Sequence, residues 1–245
     1  MTFSLREHGV TLVLLDIEGT TTPMSFVYDV LFPYARARLD SHVQEHAAEE
    51  ALRDTLATLR VEWLEDVRTG EAPPDWPKGA FSAAAGYLAW LMERDRKSPS
   101  LKRIQGEIWE SGFRTGALRG DVFPDVAPAF ERWTASGIKI AIYSSGSTLA
   151  QRLIFGATAA GDLTPFISKY FDTAVGPKRS IDSYRRIAGD MGTPPGEILF
   201  VSDVPEELNA ALDAGLQIVL AVRPGNRAVE GPESLDEISS FDEIV

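Results

Sequence analysis

The sequence VTLVLL at residues 10–15, followed at once by Asp16, decides the fold. A short apolar run rich in β-branched residues favours a buried parallel strand over a helix. Three later runs are similar: IKIAIY at residues 138–143, ILFV at 198–201 and IVLAV at 218–222. We therefore predict four strands that are buried on both faces of the sheet.

A helical pattern precedes each of these three later strands. The patterns cover residues 127–134, 180–191 and 206–214, the last with Pro205 suited to its first turn and Gly215 to its end. Strands that alternate with helices indicate parallel pairing through right-handed crossovers. The sequence thus predicts an α/β protein with a Rossmann-like parallel sheet. The final stretch, residues 230–245, is acidic and weakly patterned, and predicts no element.

The stretch between the first two strands has a different character. Leu52, Leu56, Leu59 and Trp63 form an apolar stripe with helical spacing, and similar stripes recur in this stretch without a convincing strand pattern. We predict an all-helical domain inserted at residues 23–115. Residues 1–22 and 116–245 would then form the α/β core.

The composition narrows the classes of function. The chain has 245 residues, a formal net charge of −12 and no cysteine, which excludes disulfides and thiolate metal sites. An acidic surface repels nucleic acid. No run is long and apolar enough to span a membrane, and residues 1–9 have no signal-peptide core, so we expect cytoplasmic residence.

Polar residues follow the first predicted strand in the sequence DIEGTTTP at residues 16–23. Ligands of open parallel sheets bind beyond the carboxyl ends of the strands. A carboxylate there can attack a phosphoryl group covalently, and a second carboxyl group can transfer protons. Asp16 and Glu18 are the candidates, while a polar turn with capping residues is the structural alternative.

Two other strands also end in reactive residues. SSGST at residues 144–148 offers hydroxyl and N–H groups that suit an anion, or a helix cap at Ser147. SDVPEE at residues 202–207 places Asp203 where it could hold a hard cation with Asp16, or cap a helix. Between them, Lys178 follows a Gly-Pro turn and could offset phosphate charge, although most single lysines are solvated.

The order Asp-x-Glu-Gly-Thr, Ser, Lys, Ser-Asp resembles the haloacid dehalogenase superfamily of phosphatases. Six segments are similar to the acireductone-forming enolase-phosphatases of methionine salvage. They are DIEGTTTP (16–23), DVLFPYA (29–35), IQGEIWESGF (104–113), IYSSGS (142–147), GPK (176–178) and FVSDVPEELNAA (200–211). Phosphatases of the superfamily usually carry Asp where this chain has Glu18, and the enolase-phosphatases share this Glu.

The resemblance implies a role for each candidate residue. Asp16 is the nucleophile and a magnesium ligand, Glu18 is a catalytic residue and a second ligand through its backbone carbonyl, and Asp203 is the third ligand. Ser144 and Ser145 bind substrate, and Lys178 binds the phosphate and assists catalysis. The helical insert is the cap that closes over the substrate.

The resemblance also implies an activity. One Mg²⁺ per chain would support conversion of 2,3-diketo-5-methylthiopentyl 1-phosphate to 1,2-dihydroxy-3-keto-5-methylthiopentene and phosphate. The alternatives are a phosphatase with another small phosphate ester, a magnesium-independent dehalogenase, and a binding protein with a decayed site. We expect a monomer that binds a small phosphate ester and neither nucleic acid nor a membrane.

One histidine pair has the spacing of a metal site. His42 and His46 lie four residues apart on a predicted helix, but no Glu occupies the metalloprotease position between them. A solvated helix face is our interpretation.

Overall fold

The computed structural model describes residues 2–226 and 235–245. By its internal contacts, the chain divides into two units. One comprises Met1–Val27 and Arg119–Val245, and the other comprises Tyr28–Leu118. The division into domains at residues 22/23 and 115/116 stays a prediction.

The first unit is built on a six-stranded sheet in which every neighbouring pair is parallel. The strand order is β3-β2-β1-β4-β5-β6, so the first strand in the chain lies inside the sheet. All residues of β1 are buried, as its unbroken apolar sequence predicts. The strands are β1 (Leu12–Leu15), β2 (Lys139–Tyr143), β3 (Ile167–Phe171), β4 (Ile198–Ser202), β5 (Gln217–Ala221) and β6 (Glu237–Ile238).

The predicted α/β class and the four predicted strands are confirmed, and two strands were missed. In β3, with the sequence ISKYF, Ser168 and Lys169 interrupt the apolar run, because this strand lies at an edge of the sheet. Strand β6 has only two residues and lies in the acidic final stretch, part of which, residues 227–234, is outside the described residues.

The helices of the first unit cover the sheet. Tyr184 of α8 packs against Phe200 of β4 with ring centroids 5.2 Å apart, and both side chains are buried with Leu208 of α9. The predicted helices are confirmed to within a residue at each end. The helices are α6 (Val126–Ala135), α7 (Thr148–Gly156), α8 (Ile181–Met191) and α9 (Pro205–Asp213).

The second unit is the helical insert, and residues 23–115, all of them described, contain helices and no strand. A π-helical turn at Phe26–Leu31 leads into this unit. Leu59 of α3, Leu88 of α4 and Ile104 of α5 are fully buried. The helices are α1 (Phe32–Arg36), α2 (Leu39–Glu45), α3 (Glu50–Arg68), α4 (Ala84–Glu93) and α5 (Pro99–Arg114).

The interpretation of His42 as part of a solvated helix face was wrong. Its side chain is buried, and Nε2 lies 3.1 Å from a carboxylate oxygen of Glu107 on α5. The rings of His42 and His46 stack with centroids 4.4 Å apart. Among the described residues, no helix combines the length and the apolar character that crossing a membrane would require.

Candidate active site

The strand register brings the three reactive sequences to one edge of the sheet. Leu15 of β1 pairs with Ile142 of β2 on one side and with Val201 of β4 on the other. The residues that follow these three therefore leave the sheet at the same level. They are Asp16 after β1, the serine pair Ser144 and Ser145 after β2, and Asp203 after β4.

Asp16 is buried, and both of its carboxylate oxygens have partners. The backbone N–H of Ile17 donates to Oδ1 at 2.7 Å. Lys178 Nζ lies 2.6 Å from Oδ2, and the hydroxyl of Ser202 lies 3.2 Å from the same oxygen. Charge-assisted hydrogen bonds of this kind hold a carboxylate in one orientation. The arrangement keeps Asp16 at the strand end in a fixed position.

Lys178 is one of the most buried charged residues in the chain, with a side chain only 7% exposed. Its Nζ lies 2.6 Å from Asp16 and 2.6 Å from Glu207 Oε2. Burial alone would lower the pKa of Lys178, but the charges of Asp16 and Glu207 outweigh burial and raise it. The ammonium group therefore stays protonated beside the nucleophile candidate.

The turn that carries Lys178 is fixed by three side chains from the core. Tyr143 donates to the carbonyl of Gly176 at 2.9 Å, and Ser183 donates to that of Pro177 at 2.8 Å. Tyr184 donates to the carbonyl of Lys178 itself at 2.7 Å. The Gly-Pro-Lys sequence thus holds Lys178 against Asp16 and is not a solvated loop.

Glu207 belongs to the site and was missed by sequence reasoning. It lies in the first turn of α9, and its side chain contacts Lys178 and the hydroxyl of Ser202. Burial, followed by the charge of Asp16, raises the pKa of Glu207 to about 7. The available signal was its position four residues after Asp203, one helical turn along, but an acidic residue there is also typical of an ordinary helix start.

Asp203 is electrostatically coupled to the same cluster. Burial raises the pKa of its carboxyl group to about 7, and the charge of Asp16 adds to this effect. The predicted capping role is not what we find, because the residue before α9 is Val204 and the hydroxyl of Ser202 accepts the N–H of Val204.

The loop after Asp16 turns sharply and is held by backbone hydrogen bonds between its own residues. The N–H of Gly19 donates to the carbonyl of Thr22 at 2.8 Å, and that of Thr22 donates to Ile17 at 2.9 Å. Glu18, half-buried in this turn, is close enough for its charge to act on Asp203. We call residues 16–22 the nucleophile loop.

Gly19 is required by this geometry. Its φ is +71°, and a Cβ atom at this position would lie 2.2 Å from Oδ2 of Asp203. We expect Gly19→Ala to displace Asp203 and lower phosphate release at least about tenfold, since misplacement of site groups by even an ångström is costly. Steady-state assays of phosphate release measure this.

Gly9→Ala is the matched control, because Gly9 has a similar φ of +65° with nothing within 4 Å of an added Cβ. It carries the backbone strain without the clash. Equal losses of phosphate release in the two variants would mean that strain, and not the approach to Asp203, explains the effect.

The serine pair shares the sheet edge but does not bond to Asp16. The N–H of Ser144 donates to Phe171 at 3.1 Å, and its hydroxyl accepts the N–H of Gly146 at 3.1 Å. Ser145 is half-buried in the turn before α7. Ser147 is the N-cap of that helix, so the predicted cap is confirmed. Among the described residues, then, Asp16, Lys178 and Asp203 converge, while Ser144 and Ser145 follow the neighbouring strand β2 at the same edge of the sheet.

The cluster offers carboxylate oxygens, the type of ligand that magnesium prefers. The carboxyl groups of Asp16 and Glu207 are buried, that of Asp203 is half-buried, and together they outnumber the single charge of Lys178. Burial raises the pKa values of Asp203 and Glu207, and the charge of Asp16 raises them further. In the described part of the chain, no three acidic or histidine side chains form a complete metal cage. Magnesium needs none, because it binds through one or two carboxylates and keeps several waters.

The chain is similar in sequence to one family of hydrolases over most of its length. Residues 10–215 match the haloacid dehalogenase-like hydrolases. Enolase-phosphatase E1 of Synechococcus elongatus is 49% identical over 96% of this chain and 98% of its own length. Enolase-phosphatase E1 of Drosophila mojavensis is 43% identical over 97% of this chain and 94% of its own.

A solved structure resembles the whole fold. The UTR4 protein of Saccharomyces cerevisiae has a TM-score of 0.78 and 31% identity, and the match covers 95% of this chain and 99% of that one. The similarity therefore includes the helical insert as well as the sheet.

Proposed function

Because the chain belongs to the enolase-phosphatase E1 family of haloacid dehalogenase-like hydrolases, we propose that it converts 2,3-diketo-5-methylthiopentyl 1-phosphate to 1,2-dihydroxy-3-keto-5-methylthiopentene and phosphate. The observation that carries the proposal is the buried Asp16 carboxylate, held by Lys178 at the end of β1. A nucleophile needs such a fixed position to attack a phosphorus atom in line.

The phosphoryl transfer follows from the chemistry of Asp16. One carboxylate oxygen attacks phosphorus, the bond between phosphorus and the ester oxygen breaks, and an aspartyl phosphate forms on Asp16. Water then attacks the same phosphorus, which releases phosphate and restores the carboxylate. The leaving ester oxygen requires a proton in the first step, and the attacking water must lose one in the second. We assign both proton transfers to Glu18.

Lys178 and the serine pair would bind the transferred group. The ammonium group of Lys178 already contacts Asp16, so it lies where negative charge accumulates as phosphorus is attacked. Ser144 and Ser145 supply hydroxyl groups at the start of a helix, where backbone N–H groups also attract anions. These residues would orient the phosphate and offset its charge in an acidic protein.

Enolisation is a separate step that precedes this transfer. The substrate carbon that bears the phosphate ester lies next to a carbonyl group, which makes its proton acidic. A base must remove this proton, and we propose Glu18 for that step also. The side chain of Glu18 is one methylene longer than the Asp that most superfamily phosphatases carry there, which gives it greater reach.

We propose that Asp16, Asp203 and the backbone carbonyl of Glu18 hold one Mg²⁺. The excess of negative charge in the cluster supports this assignment. Bound there, the ion would offset phosphate charge and polarise the substrate carbonyl. We further propose a cytoplasmic monomer that acts on this small phosphate ester and binds neither nucleic acid nor a membrane.

The decisive test is phosphate release from the diketo phosphate and from a panel of sugar and aryl phosphates, with and without EDTA. We expect Mg²⁺-dependent release and a strong preference for the diketo phosphate. Equal turnover of the whole panel would identify a less selective phosphatase, and release that persists in EDTA would contradict the magnesium proposal.

Asp203→Asn should raise the Mg²⁺ concentration required for half-maximal activity by about tenfold or more, because it removes a charged ligand. The amide keeps the shape of the carboxyl group and removes a half-buried charge that Asp16 repels, so thermal stability without Mg²⁺ should not fall. Titration of activity against Mg²⁺, together with thermal melts, measures both effects. An unchanged Mg²⁺ midpoint would remove Asp203 from the site.

A further inference from the structure

Arg223, just after β5, is a buried arginine outside the assigned site. Its side chain is 2% exposed, and its guanidinium carbon lies over the rings of Phe123 and Phe241, 4.7 and 4.3 Å from their centroids. Burial of a cation is costly unless its hydrogen bonds are satisfied. The partners of this guanidinium group therefore indicate its role.

One side of the guanidinium group is fixed by the core. Its Nη1 donates to Asp125 Oδ2 at 2.6 Å and to the carbonyl of Ser239 at 3.0 Å. Asp125 also accepts the N–H of Phe241, so it joins Arg223 to the C-terminal segment. A planar guanidinium held in this way presents its remaining N–H groups in a fixed direction.

The other side of Arg223 reaches the nucleophile loop. Its Nε donates to the carbonyl of Thr20 at 2.9 Å. The carbonyls on either side of Thr20 are also held from outside the loop: Asn226 donates to Gly19 at 2.7 Å, and the N–H of Phe123 donates to Thr21 at 3.0 Å. Three successive peptide groups are thus fixed by residues that take no part in the proposed chemistry.

These bonds control the orientation of the reacting part of the loop. A peptide group is a rigid plane that turns only through ψ of one residue and φ of the next, so a hydrogen bond to each of three successive carbonyls restricts these dihedral angles along the loop. The carbonyls of residues 19–21 directly follow the backbone of Glu18, and the hydroxyl of Thr21 donates to the carbonyl of Asp16 at 3.1 Å. Loss of the bond to Thr20 would therefore loosen the loop at the point where the metal is expected to bind.

We propose that Arg223, held by Asp125, is a positioning residue that fixes the nucleophile loop in the conformation that binds Mg²⁺ and transfers phosphate. The inference rests on the proposed function. Arg223, in the loop after β5, would thus act on the reaction through the nucleophile loop and would not contact the substrate.

The test compares Arg223→Lys with Arg132→Lys. Lysine retains the positive charge beside Asp125 but has no Nε–H to donate to Thr20. Arg132 is the matched control, because it anchors the same C-terminal segment, through the carbonyls of Phe241 and Ile244 at 2.8 and 3.2 Å, and not the nucleophile loop. Both variants should lower the melting temperature.

The two variants should differ in magnesium binding. We measure Mg²⁺ affinity by calorimetry without substrate, the rise in melting temperature on adding Mg²⁺, and kcat for phosphate release. Arg223→Lys should weaken Mg²⁺ binding about tenfold and lower kcat by a similar factor, as loss of a group that orients ligands does. Arg132→Lys should leave Mg²⁺ affinity and kcat unchanged.

Two outcomes of this comparison would count against the role of Arg223, and a third would count against the proposed function. Unchanged Mg²⁺ affinity in Arg223→Lys, or an equal loss in Arg132→Lys, would overturn it while the wild-type chain still releases phosphate. A wild-type chain without Mg²⁺-dependent phosphate release would overturn the proposed function itself. Should Arg223→Lys fail to fold, Asp125→Asn replaces it: weaker Mg²⁺ binding supports the proposal, and unchanged binding overturns it.

Discussion

Asp16→Asn abolishes phosphate release in our expectation, with a loss on the order of 10⁴-fold or more, because an amide cannot form the acyl phosphate. The substitution conserves shape, and Lys178 keeps its ion pair with Glu207. The fold should therefore survive. Phosphate assays and thermal melts measure the two effects, and turnover within tenfold of wild type would exclude Asp16 as the nucleophile.

The same variant separates the two chemical steps. At Mg²⁺ high enough to fill a weakened site, Asp16→Asn should still exchange the proton on the phosphate-bearing carbon with deuterated solvent, since enolisation needs no nucleophile. Glu18→Gln is the complementary variant and should lose this exchange if Glu18 is the base. Proton NMR of the substrate in heavy water follows both. Exchange at the wild-type rate in Glu18→Gln would move the base elsewhere.

Lys178→Met should have the second largest effect. It removes the cation between Asp16 and Glu207 and leaves two buried carboxylates facing each other without compensation. Loss of one partner of a buried ion pair costs about 3–5 kcal/mol of stability. Activity should also fall by about a hundredfold or more, as happens when a preorganised group that stabilises developing charge is lost. Thermal melts and phosphate-release assays provide these two values.

Lys169→Met is the control for a lysine in an ordinary ion pair. Lys169 contacts Asp190 at 3.2 Å, but its side chain is 42% exposed, so the pair contributes little. We expect wild-type activity and a small change in melting temperature. If Lys178→Met lowered stability without lowering activity, Lys178 would be a structural residue and not part of the catalytic site.

The fold could be predicted from the sequence for those elements whose local residue pattern directly reflects their burial. Strand β1 is buried on both faces, so its residues 12–15 are all apolar and could be identified directly. The candidate residues that end strands could also be found, because parallel strands bring their carboxyl ends to one edge. Each prediction of this kind depended on residues close together in the chain.

The features that were missed depend on contacts between distant residues. In the sequence, Glu207 is only an acidic residue in the first turn of a helix, and its contact with Lys178 is visible only in the folded chain. In the sequence, Arg223 is only an arginine in a loop, and its hydrogen bonds to Asp125 and Thr20 depend on the fold. His42 lies in a helix whose sequence is polar, and only the packing of α5 supplies Glu107 as its partner. No local pattern records such pairings.

The position of β1 inside the sheet also bears on the order in which the protein is made. Its neighbours β2 and β4 come after the whole helical insert in the chain, so the ribosome makes the central strand long before either strand that pairs with it. Until then, the apolar residues 12–15 and their backbone groups have no partner in the sheet. Asp16 is thus synthesised early, but its surroundings are complete only when Lys178, Ser202 and Glu207 have emerged and folded around it.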